Sequence, residues 1–271
     1  MHEGRTYLEM LAREWAVLDE LCSGFTDEQW NMPTELPAWS VKDVLSHIAG
    51  TEAFLLGRGA QHEVGPRPHV RNPLGEFNER EVDYRRSRSG AEVLDEFRGV
   101  TAERIEVLRA LSDEQLDEMT WTPIGTRSVA VFISVRLLDS WVHEQDIRRA
   151  IQVPGHLSGE IPQLCYGMLK RGLPKVVAKG AGAPDGASVV FEVNDLDSDG
   201  TTVVGVEGTR GHMLQEAPGA PSTRLSLDFE TFVSLTTGRW DAKRAARQGT
   251  LRIDGDPELG AAVAANMNGM A

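Results

Sequence analysis

Cysteine is nearly missing: Cys22 and Cys165 are the two cysteines in 271 positions. They stand far apart and form no CxxC pair, which excludes a disulfide framework and a cysteine-rich zinc site. Buried thiols in a cytoplasmic protein are expected instead. Basic residues are also in deficit, with 28 Lys and Arg against 41 Asp and Glu, a net charge of −13. Nucleic acid and anionic membranes are excluded as main partners, because such a surface repels both and lacks the clustered cations that drive counterion release. No apolar run approaches the roughly 18 residues of a spanning helix. The acids scattered through MHEGRTYLEMLAREW argue against a secretory leader. Internal repeats and low-complexity tracts are likewise lacking.

What is present suits folded domains. A 41% hydrophobic and 25% charged composition excludes general disorder. The length suits one large domain or two modest ones, and the texture of the sequence places the division. Up to about residue 153, apolar residues recur at helical spacing in four stripes. The first holds Leu8, Leu11, Trp15, Leu18 and Leu21, and the second Val44, Leu45, Ile48, Leu55 and Leu56. Leu94, Phe97, Val100, Ile105 and Leu108 make the third; Phe132, Val135, Leu138, Val142 and Ile147 make the fourth. Ser40 with Asp43, and Ser112 with Gln115, have the form of capping boxes, and Trp39 is placed to staple onto Val44. Between the second and third stripes, residues 57–75 mix Gly, Pro and charge in a way that predicts a long loop.

After Pro174 the pattern becomes short and β-branched: ASVVFEV, TTVVGVEG, STRLSLDF and GTLRIDG read as strands. Residues 194–200 form a turn cluster between the first two. Residues 229–237 and the stretch after Asp256-Pro257 read as helices. The expected organisation is a helical bundle over 1–153, a linker over 154–174 and a small α+β domain over 175–271.

Of the seven histidines, five (His2, His62, His69, His156 and His212) lie in a terminus or in loop-like surroundings and are expected to be solvated. His47 and His143 lie inside amphipathic helices, where a polar side chain must face solvent or a satisfied interior site. On the fourth stripe, steps of three and four align Arg136, Asp139, His143 and Asp146 on one face. Asp139 and His143 are one turn apart and can reach a single ion, and carboxylate and neutral imidazole are ordinary zinc donors. His47, from a facing helix, is the candidate third ligand. The spacing alone leaves three readings open: a metal site, a hydrogen-bonded His–Asp pair, or a surface ion pair. Asp43 with His47 repeats the same four-residue spacing.

The segments LPAWSVKDVLSHIAGTEAFLLGR (36–58) and VRLLDSWVHEQDIRRA (135–150) resemble the maleylpyruvate isomerase, mycothiol-dependent enzyme family, whose N-terminal part is a DinB-like four-helix bundle. TFVSLTTGRW and TLRIDGDPELG resemble the sterol-carrier-like α+β domain that accompanies that bundle. The resemblance implies a divalent metal, usually zinc, at His47, Asp139 and His143, with mycothiol as cosubstrate. One departure stands out: the isomerase-type site carries Glu where this sequence has Asp139, shorter by one methylene.

Such a site activates a thiol. A free thiol near pKa 8.5 is mostly protonated at neutral pH, and metal binding drives it to the nucleophilic thiolate. The implied chemistry is isomerase or transferase, with a small electrophile and a thiol as partners. A non-catalytic small-ligand-binding protein and a metal-dependent hydrolase are the alternatives. Arg239, in TTGRW, matches a family arginine suited to a carboxylate substrate, or else is a surface charge after Gly238. Asp146 orients His143 through its other ring nitrogen or pairs with Arg149 or Arg136, and Arg136 is placed to support the ligands. Trp39 is a candidate for the pocket mouth. Arg85, Arg86 and Arg88 read as a solvated helix face. A homodimer and a monomer are equally compatible with the sequence.

Overall fold

A computed structural model describes residues 2–122 and 125–268, so the last three residues of the expected second domain lie outside those described. The chain divides into two compact units, Met1–Pro154 and Gly155–Ala271. In the first, each apolar stripe becomes the buried face of a helix. The elements run α1 (Glu3–Cys22), α2 (Asp27–Trp30), α3 (Val41–Leu55), α4 (Pro73–Arg85), α5 (Gly90–Arg109), α6 (Asp113–Asp117), a short hairpin β1 (Met119–Thr120) and β2 (Arg127–Ser128), and α7 (Val129–Ile151). Helix α1 packs on α5 and α7, and α3 packs on α4, α5 and α7. Trp15 of α1 donates its indole N–H to Ser140 Oγ of α7 at 3.0 Å, so the polar end of a buried ring is satisfied inside the bundle.

Local sequence sets where α3 starts. Ser40 caps it, and Asp43 reaches back to accept from the Ser40 backbone N–H at 2.9 Å, completing the expected capping box. Asp43 is therefore occupied with the cap, which separates its spacing to His47 from that of Asp139 to His143. Helix α4 begins earlier than expected. Asn72 accepts from the Gly75 N–H at 2.8 Å and Pro73 takes the first helical position, so proline and asparagine mark a helix start where composition suggested continued loop.

One buried acid in this unit makes stability depend on pH. Burial raises the Glu14 carboxyl well above its ordinary range, and the neighbouring Glu144 adds to the effect. Glu144 is itself held by Arg148 Nε at 2.5 Å, which leaves Glu14 as the member that keeps a proton. The folded state then binds a proton that the unfolded chain releases near its pKa of about 4.3, so stability falls as pH rises above that value toward the folded pKa. Glu14→Gln is expected to remove this slope. In urea unfolding, its midpoint should gain on the parent more at about pH 8 than at about pH 5.

The second unit begins where a linker was expected. Residues 160–169 form α8 (Glu160–Leu169), followed by a turn of 3₁₀ helix (Lys170–Gly172), α9 (Leu173–Lys175) and a π-helical turn (Val176–Gly180). Tyr166 of α8 donates to the Gly200 carbonyl at 2.9 Å and is buried, so the segment is part of the fold. The flanking glycines and the shortness of these turns hid them from a periodicity reading.

Then come β3 (Ser188–Asn194), β4 (Thr201–Glu207), β5 (Arg210–Leu214), β6 (Thr223–Asp228), α10 (Phe229–Thr236), α11 (Ala242–Gln248), β7 (Leu251–Gly255) and α12 (Pro257–Ala265). The sheet order is β5-β4-β3-β6-β7, with β3 and β6 parallel and the other neighbours antiparallel. Val189 and Phe191 of the central strand are fully buried. Gly260 lets α12 settle against β7, since a Cβ there would lie 2.2 Å from Ile253 Cγ2. No helix among the described residues is long and apolar enough to cross a membrane.

Candidate metal centre

Helix α3 carries His47 on its buried face, and α7 carries Asp139 and His143 one turn apart. Packing of α3 on α7 brings the three together. One nitrogen from each histidine and one oxygen from Asp139 lie within 4.8 Å of one another. His47 Nε2 is 3.3 Å from Asp139 Oδ2, His143 Nε2 is 3.7 Å from Asp139 Oδ1, and the imidazole centroids are 4.8 Å apart. The histidine side chains are 4% and 9% exposed and the carboxylate 31%, so the group opens to solvent at Asp139.

The surroundings act on the protonation of His47 and Asp139. Burial pulls the His47 pKa down, against the opposing pull of Asp139, and leaves the ring a neutral donor. Burial alone would raise Asp139, but the Arg136 guanidinium and the two histidines outweigh it and hold the carboxyl well below its ordinary range. His143 Nδ1 lies 3.0 Å from Asp146 Oδ2, and that carboxylate is wholly buried. In the neutral ring, a proton on Nδ1 would satisfy Asp146 and leave the lone pair on Nε2, facing Asp139. Lone pair and carboxylate then confront each other across the group, an arrangement suited to a divalent cation. Among the described residues His47 Nδ1 is buried and has no hydrogen-bond partner, so none of them competes for the ring from its far side.

Asp146 makes both of the contacts considered for it, to His143 Nδ1 and, through Oδ1, to Arg149 Nη2 at 2.6 Å. Arg136 donates from Nη1 to Asp139 Oδ2 and from Nε to Glu52 Oε1, each at 2.7 Å. Glu52, only 1% exposed, also pairs with Arg104 Nε at 3.3 Å. Sequence reading missed Glu52 and Arg104. An acid in the apolar run of α3 was the available signal, but its partner lies 84 residues away.

Trp39 stands beside the group, its ring 5.4 Å from that of His47 and 6.3 Å from that of His143. Its indole N–H donates to Glu79 Oε2 at 3.0 Å, a function a staple onto Val44 would not need. Three of the histidines expected to be solvated are tied down. His2 caps α1 by accepting from the Gly4 N–H, His62 lies 3.3 Å from Asp83, and His69 lies 3.1 Å from Glu79. His62, Arg67, Glu76, Glu79 and Arg80 line a polar cleft of about 770 Å³ between the 57–72 loop and α4. Arg239 lies in the second unit, half-buried just past α10, where its Nη1 donates to the Thr237 carbonyl at 2.8 Å.

Fold and donor group together define a helical bundle with a His/Asp/His cluster, followed by an α+β unit. Residues 11–148 match the mycothiol maleylpyruvate isomerase N-terminal domain family, and residues 176–268 match the SCP-2 sterol transfer family. The chain belongs to the mycothiol maleylpyruvate isomerase family, and its fold is the one the sequence resemblance implied. A crystal structure of a histidine-to-alanine mutant of the mycothiol-dependent maleylpyruvate isomerase superposes with a TM-score of 0.59 at 17% identity, covering 94% of this chain and 95% of that one. A second crystal structure of the same isomerase gives 0.56 at 18% identity, covering 88% and 90%. No curated protein matches the chain in sequence.

Proposed function

We propose that this protein is a mycothiol-dependent isomerase or transferase in which His47, Asp139 and His143 hold a divalent cation, zinc being the metal best suited to the donors. The observation that carries the reading is the convergence of one nitrogen from each of two imidazoles and one carboxylate oxygen within 4.8 Å. A divalent cation held there lowers the pKa of a thiol beside it and supplies thiolate at neutral pH. The thiol must come from outside the chain. Cys22 and Cys165 are both buried, and burial pushes the Cys22 thiol far above its ordinary value.

The chain's own residues do the positioning. Arg136 keeps Asp139 ionised and fixed, and Asp146 sets the His143 ring and its tautomer. Arg239, in the second unit, is kept as a candidate for binding a carboxylate, with which a guanidinium forms a paired hydrogen bond. For a cis-unsaturated diacid such as maleylpyruvate, thiolate adds to the conjugated double bond to give an enolate, the resulting single bond rotates, and elimination breaks the new C–S bond to return the thiolate and the trans product. An electrophile with a leaving group gives transfer instead.

Elemental analysis with a mycothiol-consumption and isomerisation screen tests this. One equivalent of metal, lost in His143→Ala together with thiol-dependent turnover, supports it. Metal-free protein with the three residues intact overturns it, and turnover that needs no thiol points to a hydrolase. Asp146→Ala is expected to weaken metal binding about 10–100-fold, the usual effect of removing a partner that orients a ligating histidine. Chelator competition reads this without any assay of turnover.

A further inference from the structure

Glu79 lies on α4, outside the donor group, and is 2% exposed. A carboxylate so buried is costly unless several partners meet it, and here they come from three different segments. Oε2 accepts from Trp39 Nε1 at 3.0 Å and lies 3.1 Å from His69 Nε2. Oε1 lies 2.8 Å from Arg86 Nη2, and Arg67 approaches the same oxygen at 3.6 Å. Burial alone would raise the carboxyl, yet the indole, the imidazole and the guanidinium hold it below its ordinary value. One ionised carboxylate therefore joins the residue before α3, the 57–72 loop and the end of α4.

The consequence falls on Trp39. Its ring is tilted 39° to the His47 imidazole and 34° to that of His143, so one flat face walls the site beside both. The residue is partly buried in the turn before the helix cap, where its carbonyl accepts from the Thr34 N–H at 3.0 Å and its own N–H reaches the Leu36 carbonyl at 3.2 Å, so the backbone is held while the partly open indole needs a restraint of its own. The hydrogen bond to Glu79 supplies that restraint.

We propose that Glu79 is a positioning residue which pins the Trp39 indole as the aromatic wall of the substrate site, and couples that wall to the 57–72 loop through His69. A rigid indole face suits a planar conjugated electrophile, which stacks on it beside the activated thiol. The choice of electrophile rests on the proposed function, whereas the pinning of the indole does not.

The test uses the full chain, labelled with ¹⁵N, and follows the indole N–H of Trp39, assigned by its disappearance in Trp39→Phe. Glu79→Gln keeps an acceptor oxygen but removes the charge that strengthens the bond, so it is expected to exchange this proton several-fold to about tenfold faster and to move its resonance, with the other indoles unmoved. Glu79→Asp, which keeps the charge, should restore part of the protection. Glu76→Gln, an exposed change on the same helix, should do nothing. An unchanged Trp39 indole in Glu79→Gln overturns the proposal even if the protein proves to be the thiol enzyme.

Turnover supplies the second reading. Glu79→Gln and Trp39→Phe should each raise KM more than they lower kcat, and the double variant should add little to either, since both remove one interaction. Additive effects on KM overturn the coupling. If Glu79→Gln does not fold, Trp39→Phe and His69→Gln carry the same cycle.

Discussion

Asp139→Ala is expected to abolish metal binding and to lower the stability of the metal-free protein in the same step. The first effect follows from the donor set: of the three residues only this one is a carboxylate, and it lies between the two imidazoles. Removing a partner that merely orients a ligand costs about 10–100-fold in metal affinity, and loss of the anionic ligand itself should exceed that. The second effect follows from Arg136, which is 6% exposed and balanced by Asp139 and Glu52, while Glu52 also balances Arg104. Without Asp139 two guanidiniums share one carboxylate in the bundle, and breaking a buried pair in this way costs about 3–5 kcal/mol. Urea unfolding in chelator reads the stability loss. Thermal unfolding with added zinc reads the metal, since a ligand at 100 times its Kd stabilises the native state by about 2.7 kcal/mol, a gain that Asp139→Ala should not show.

Asp139→Glu separates charge from reach. It restores the carboxylate length implied by the family resemblance and is expected to keep both the metal and most of the stability. Failure of that variant to bind metal would mean that Arg136 and Glu52 hold the carboxylate at a distance specific to aspartate.

The parts of this architecture legible in the sequence were those written in local periodicity. Four apolar stripes gave four helices because burial of one face repeats every three or four residues, and Ser40 and Asp256 marked helix starts because their side chains accept from N–H groups one turn on. His47, Asp139 and His143 stood out as polar residues on otherwise apolar faces, and the structure brings them together. The start of helix α4 was hidden because its N-cap and first-turn proline look like loop. Strand β5 was hidden because it lies at the sheet edge with mostly exposed side chains. The pairings of Glu52, Arg104 and Glu79 could not be read. Their partners lie on other segments, and nothing in a single helix distinguishes a solvated acid from one sealed against a distant arginine.

Arg85 shows the same limit with a measurable consequence. With Arg86 and Arg88 it suggested a solvated basic face, yet its side chain is 1% exposed. Nη1 donates to Glu81 Oε2 at 2.9 Å and to the Glu81 carbonyl at 2.8 Å, while Nε and Nη2 grip both oxygens of Glu96 on α5 at 3.0 and 2.7 Å. Glu81 accepts in turn from the Ala60 N–H at 2.8 Å, so this guanidinium anchors α4 to α5 and supports the start of the 57–72 loop.

Arg85→Ala is expected to cost about 3–5 kcal/mol, because it leaves the buried Glu81 charge without a counterion. Arg88→Ala should cost no more than about 1 kcal/mol, since that arginine is 30% exposed and Glu96 keeps its bidentate partner. Urea unfolding of the two variants distinguishes a buried anchor from a solvated face, and equal costs would refute the difference. Arg85→Met combined with Glu81→Gln should recover much of the loss, because the pair is then removed together while the Ala60 N–H keeps an amide oxygen to meet it.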